Sequence, residues 1–104
     1  MSDGGVVLDE TIHQPTRLRI MTLLVSQPGG GRLAYGHIQG TLDLTGGNLT
    51  THLRRLERSG LLAITKEFRD RRPRTWVEAT EAGRRAFADY LDNLQRALGR
   101  PVRG

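Results

Sequence analysis

The chain has 104 residues, 37% hydrophobic and 26% charged, with a formal net charge of +5 and no cysteine. That length is one domain's worth and buries only about 60–70% of the unfolded surface, leaving little core to give up to a large cleft. The absent cysteines exclude disulfide scaffolding, thiolate metal sites and a cysteine nucleophile together; no apolar run nears the roughly 18 residues that cross a bilayer, and residues 1–5 lack a secretory signal's basic and apolar regions, so the expectation is cytoplasmic residence with no membrane partner.

Residues 1–7 are rich in glycine, have no apolar period and read as a tail. From Leu8 the apolar residues Leu8, Ile12, Leu18, Met21, Leu24 and Val25 recur near helical spacing. Pro15 falls inside this stretch. It is expected to end a short first helix near His13 and to open a second in its first turn, where its missing N–H costs nothing. Pro28 and the three glycines after it stop the chain. Residues 32–35 read as a short extended piece, and 36–42 as a helix carrying Ile38 and Leu42. A turn over 43–47 follows, with Thr45 placed to cap the next helix, 46–59. Leu49, Leu53 and Leu56 form the buried stripe of that helix, and Gly60 is its stop. Strands at 61–68 and 74–79 flank a charged turn at 69–73 and make an antiparallel hairpin. Thr80 caps the last helix, with Glu81 in its positive first turn. Phe87, Leu91, Leu94 and Leu98 then repeat at heptad spacing before Gly99 and Pro101 end it. The order is helix, short strand, helix, helix, hairpin, long helix. It describes a mainly α chain with a small β-hairpin (α+β), a winged helix-turn-helix over 8–98. Its C-terminal helix, 80–98, is read as a dimerisation helix, and 99–104 as a second tail.

The position of the charge matters more than its sum. Between Thr45 and Trp76 stand Arg54, Arg55, Arg58, Lys66, Arg69, Arg71, Arg72 and Arg74, against Glu57, Glu67 and Asp70 alone. The rest of the chain is balanced, so the whole excess lies in under a third of it. A localised basic patch is the electrostatic footprint of a site for a polyanion.

The stretch Ile12-His13-Gln14-Pro15-Thr16-Arg17-Leu18-Arg19-Ile20-Met21 resembles the opening of bacterial winged-helix transcriptional regulators related to the MarR and ArsR families. Gly47-Asn48-Leu49-Thr50-Thr51-His52-Leu53-Arg54-Arg55-Leu56-Glu57 is similar to their recognition helix, and Ser59-Gly60-Leu61-Leu62 to the turn into the wing. Lys66-Glu67-Phe68, Pro73-Arg74-Thr75 and Thr80-Glu81-Ala82-Gly83-Arg84 look like the wing strands and the start of the last helix. The resemblance spans about residues 8–98. It implies a homodimeric, sequence-specific regulator of transcription that binds double-stranded DNA. It implies no cofactor, and it leaves a small-molecule effector open. The chain lacks the cysteine-containing metal box of the arsenic-repressor family, so thiolate metal sensing is not carried over.

The residues themselves fit that reading. An α-helix fits the major groove of B-DNA, about 12 Å wide. Asn48, Thr50, Thr51 and His52 are of suitable size and polarity for its floor, and Gly46 and Gly47, having no side chain, let the helix N-terminus approach a phosphate closely. Arg55 suits a guanine edge, and Arg54 and Arg58 suit phosphates. On the wing, Lys66, Arg69, Arg71, Arg72 and Arg74 suit phosphates and a narrow minor groove. Leu8, Ile12, Phe87, Tyr90, Leu91, Leu94 and Leu98 are the expected contacts between two copies, although the same stripe would also close a monomer core. Some of these side chains have a second possible role. His52 could point inward as a packing residue; Trp76, Tyr35 and Tyr90 read more readily as packing groups than as ligand contacts. The patch could equally meet an acidic protein, or bind DNA without sequence preference as a chromatin protein does. His13, His37 and His52 are too scattered to suggest a metal site, and no catalytic or nucleotide-binding motif is present, so neither a metal nor an enzyme is expected.

Overall fold

The computed structural model describes residues 8–99, so the tail expected over 1–7 and nearly all of that over 99–104 lie outside the described residues. Pro15 opens the first helix, α1 (Pro15–Val25), and the Gln14 side chain caps it by accepting from the Arg17 N–H at 2.7 Å. The short helix expected before it is a turn instead. The Asp9 carboxylate accepts from the N–H groups of Thr11 (2.8 Å) and Ile12 (3.2 Å), and the Asp9 carbonyl from that of His13. An aspartate that bonds the backbone two and three residues on offers the chain an alternative to a helix, and one turn is too short to form a helix by itself. The turn still delivers Ile12 into the core, fully buried.

Past a 3-10 turn at Pro28–Gly30, in which Gly29 and Gly30 have positive φ, come β1 (Leu33–Ala34), α2 (Tyr35–Leu42) and α3 (Gly46–Arg58). The corner between α2 and α3 is tight. Asp43 takes a left-handed conformation (φ 53°), and the N–H groups of Asp43 and Leu44 return to the carbonyls of Gly40 and Gln39. Arg19 of α1 donates to the Leu42 carbonyl at 3.1 Å, one of the acceptors that a helix C-terminus leaves open. Thr45 caps α3 as its position implies, accepting from the Asn48 N–H at 3.2 Å. Leu49, Leu53 and Leu56 are the buried stripe. Gly60 (φ 77°) then ends α3. Its own N–H bonds the Glu57 carbonyl, and the Leu61 N–H reaches back to that of Leu56 at 3.0 Å, the paired bonds of a Schellman stop.

The hairpin strands β2 (Leu62–Arg69) and β3 (Arg72–Ala79) pair from Leu62↔Ala79 to Arg69↔Arg72, and β1 joins the other side of β3 to give the sheet order β1-β3-β2. Both strands run further than expected. The charged stretch belongs to them, and only Asp70 and Arg71 turn. Pro73 is admissible inside β3 because β1 reaches only as far as Trp76; beyond that point β3 has one free edge.

The last helix, α4 (Glu81–Ala97), starts from the Thr80 cap that the sequence implies. The Thr80 hydroxyl accepts from the Gly83 N–H at 2.9 Å and donates to the Gly60 carbonyl at 2.6 Å, while the Thr80 N–H bonds the Leu61 carbonyl at 3.2 Å. Gly83 lies directly against the same Leu61 carbonyl, and a Cβ there would collide with it. The core gathers Ile12, Ile20, Met21 and Leu24 with Ile38, the three α3 leucines, Val77, Phe87 and Tyr90. Substitution of Gly83 by Ala is expected to lower the unfolding free energy by about 1–3 kcal/mol, read as a lower urea midpoint at unchanged m-value.

Candidate nucleic-acid interface

With its leucines turned inward, α3 presents Gly47, Asn48, Thr51, Arg54, Arg55 and Arg58 to solvent. These six lie together on the outward face. Thr50 and His52 sit on opposite flanks of the helix, half-buried, and each is engaged with a neighbouring element. The Tyr35 hydroxyl, from the start of α2, donates to the Gly46 carbonyl and receives the Thr50 hydroxyl, both at 2.8 Å. Tyr35 therefore ties the first turn of α3 to α2. On the other flank, His52 Nδ1 lies 3.2 Å from Nη1 of Arg17 on α1. Arginine can only donate, so the imidazole accepts and is neutral. Burial first, and the Arg17 charge second, hold the His52 pKa below its ordinary 6.5.

The flank carrying Thr50, Arg54 and Glu57 faces the sheet across an open groove of about 630 Å³, whose far wall includes Ile64, Lys66 and Thr75. Side chains alternate along a strand. Leu62, Ile64, Lys66 and Phe68, with their partners Ala79, Val77, Thr75 and Pro73, therefore share the face turned toward α3. Arg69, Arg72 and Arg74 share the opposite face, and Arg71 is at the tip. The wing cations thus divide between two sides and a tip rather than forming one cluster. Arg69 and Arg72 stand directly opposite one another, a like-charge pair that destabilises the hairpin.

Three features of this surface escape a reading by spacing. Phe68 is 74% exposed on the wing; it has the inward parity of Leu62 and Ile64 but lies beyond the reach of the core. Asp70 (φ 52°) and Arg71 (φ 65°) are both left-handed, the two-residue hairpin turn that favours Asn-Gly. Arg32, outside the basic segment, pairs with Glu67 at 3.1 Å and lies over the Trp76 ring at 4.3 Å. It thereby offsets one of that segment's three acidic side chains.

The residues expected between two copies fall into two groups. Ile12, Phe87 and Tyr90 are enclosed by this chain's own core, and the Tyr90 hydroxyl lies 2.8 Å from His13 Nδ1. Leu8 and Leu94 are half-buried, while Leu91 (40%) and Leu98 (64%) are exposed. Among the described residues no group of three or more His, Cys, Asp or Glu side chains is placed to hold a metal ion, and no helix is long and apolar enough to cross a membrane.

A capped helix with a polar outward face, tied to a preceding helix and flanked by a cationic hairpin, defines a winged-helix DNA-binding module. The chain belongs to the winged helix DNA-binding domain family, which matches residues 16–98. It is 33% identical over 75 residues to an uncharacterised protein of Methanocaldococcus jannaschii, covering 72% of this chain and 78% of that one. Its fold superposes on a transcriptional regulator homologue from Pyrococcus horikoshii OT3 with a TM-score of 0.82 at 36% identity, over 95% of this chain and 96% of that one. The YusO protein of Bacillus subtilis shares the fold, with a TM-score of 0.71 at 22% identity, over 86% of this chain and 61% of that one. The protein is a winged-helix DNA-binding protein by family and by fold.

Two measurements check this geometry. Arg71→Gly relieves a left-handed side chain and is expected to raise stability by about 1 kcal/mol while weakening low-salt binding to duplex DNA; denaturant titration and fluorescence anisotropy read the two effects. For His52, the unfolded chain binds its proton more readily than the folded one. Its contribution to stability is therefore complete above pH 6.5 and is lost as the pH falls below it. Urea midpoints of wild type and His52→Gln are expected to converge at pH 5.5 relative to their separation at pH 7.5.

Proposed function

We propose that two copies of the chain pair through the C-terminal half of α4 and bind a pseudo-palindromic duplex, repressing transcription by occluding it from polymerase. The observation that carries this reading is the division of the exposed surface. The cationic face is on α3 and the wing. Apart from Phe68, the exposed large apolar side chains among the described residues, Leu91 and Leu98, stand in the C-terminal half of α4 and at its C-cap. With Leu94 they fall at i, i+3 and i+7, one stripe of a helix, while Gly83, Phe87 and Tyr90 of the same helix serve its own core. Leu8, half-buried, packs against the core.

Pairing about a two-fold axis sets the two α3 helices about 34 Å apart, one duplex turn, in successive major grooves. Asn48 and Thr51 reach base edges, asparagine suiting adenine. Arg54 and Arg58 meet phosphates, as does Lys66 from the wing wall of the groove. Arg71, at the wing tip, enters the minor groove. Arg69, Arg72 and Arg74 lie along the backbone beside it. The repulsion between Arg69 and Arg72 is relieved when a polyanion lies between them.

In-vitro selection of bound duplexes is expected to return a two-fold symmetric motif. Leu91→Glu with Leu98→Glu is expected to give a folded monomer by light scattering and circular dichroism, with selected-site affinity reduced more than ten-fold, since one half-site contributes without the other. A selected motif without symmetry, or a monomeric wild type, would reject the dimer. Equal affinity for selected and random duplexes would instead identify a sequence-indifferent binder.

A further inference from the structure

Arg17 lies on α1, outside the basic segment, and reaches across to α3. Its Nε donates to the Thr11 carbonyl and its Nη2 to the Glu10 carbonyl, both in the turn held by Asp9, while Nη1 donates to His52 Nδ1. Arg55 follows His52 by one helical turn. After burial, its charge is the next cause that lowers the Arg17 pKa. Elsewhere Arg32, Arg85 and Arg96 each pair with a carboxylate; among the described residues, no carboxylate pairs with Arg17, His52 or Arg55. A guanidinium fixed by two carbonyls and an imidazole, half-buried and facing a second arginine, is a positioned cation without a counter-ion among the described residues. Such a site is unfavourable empty and is stabilised by an anion.

Its place on α3 says which anion. At 100° per residue, Thr50, Arg54 and Glu57 lie on the flank toward the wing, His52 and Arg55 on the opposite flank, and Thr51 and Arg58 between them. A helix about 10–12 Å across, lying in a groove about 12 Å wide, has a sugar-phosphate backbone along each flank. The wing flank meets one strand. The Arg17 flank meets the other.

We propose that Arg17, His52 and Arg55 form a seat for one backbone phosphate on the DNA strand opposite the one that the wing meets. The proposal rests on the duplex-binding reading above. The two arginines donate to the phosphate oxygens. His52 Nδ1, which accepts from Arg17 Nη1 while neutral, takes up a proton from solvent as the phosphate arrives, so the Arg17–His52 bond is exchanged for bonds from both groups to the phosphate. The charged and titratable groups facing His52 are Arg17 from α1 and Arg55 from its own helix. The Asp9 turn presents carbonyls, through Arg17, and among the described residues the exposed Glu10 carboxylate makes no ion pair. The bound state therefore binds more protons than the free state, whose His52 pKa is lowered, and duplex affinity rises as the pH falls from 8 to 6. This is the opposite sign to the free protein's stability.

The test is anisotropy titration of the intact chain with a selected and a random duplex, across a salt series at pH 8 and at pH 6. Arg17→Ala is expected to weaken both duplexes alike and to reduce the slope of log Kd against log salt by about one per chain. Because Arg17 also ties down the Asp9 turn, Arg17→Gln, which keeps a donor without the charge, is expected to show the same loss of slope. His52→Gln is expected to lose the gain in affinity that the wild type shows between pH 8 and pH 6. Arg85→Ala, on α4, serves as the charge-matched control with no change in slope. A folded Arg17→Gln with the wild-type salt slope, or a His52→Gln with the wild-type pH response, would overturn the seat while leaving duplex binding intact. A wild type that binds no duplex at low salt would overturn both.

Discussion

The arrangement of the interface depends on one small joint, where the Thr80 hydroxyl and the bare backbone of Gly83 close on Gly60 and Leu61. The hydroxyl accepts from the first turn of α4 and donates to the carbonyl of the glycine that stops α3, while the Thr80 N–H bonds the carbonyl that Gly83 presses against. Four elements begin or end within these few residues: α3, both long strands, and α4. A side chain at position 83 would push α4 off the root of the hairpin. The absence of one therefore sets the angle between α3, the hairpin that flanks it, and the helix that leads away.

Features fixed by local chemistry were legible in the sequence. Thr45 and Thr80 are caps because a hydroxyl before a helical run meets the free N–H groups of the first turn, whatever the tertiary context. Gly60 is a stop for a similarly local reason, and the leucine stripe of α3 is a matter of period alone. The turn before Pro15 defeats the same logic because Leu8 and Ile12 keep helical spacing while the Asp9 carboxylate removes the helix from beneath them. The strands outran their expected ends for another reason: a hairpin that projects beyond the core needs no apolar alternation, so its outer half reads as a charged turn.

The candidate site was legible in its composition and not in its wiring. Arg17, Arg32 and Tyr35 act on residues 35, 35 and 11 to 15 positions away respectively, and no spacing rule reports such contacts. The same limit applies to α4. A heptad stripe states that a helix face is apolar, and it does not state whose core the face enters. Phe87 and Tyr90 enter this chain's own, and Leu91 and Leu98 do not. The charge count was also sharpened by geometry. Arg32 takes Glu67 out of the balance of the wing, while Arg17 adds a cation to α3 from outside the basic segment.

The hairpin has one further consequence. Strand β2 is an edge along its whole length, and β3 becomes a second edge beyond Trp76, where β1 gives out. A narrow two-stranded ribbon with both margins open is a template onto which another strand can add. Here the margins carry Arg69, Arg72 and Arg74, with Pro73 removing one backbone donor. Two wings approaching edge to edge bring these charges together and repel. The side chains suited to grip a polyanion are thus also the ones that keep the unliganded protein from joining ribbon to ribbon, so a drift of this surface toward neutrality would trade solubility away along with affinity.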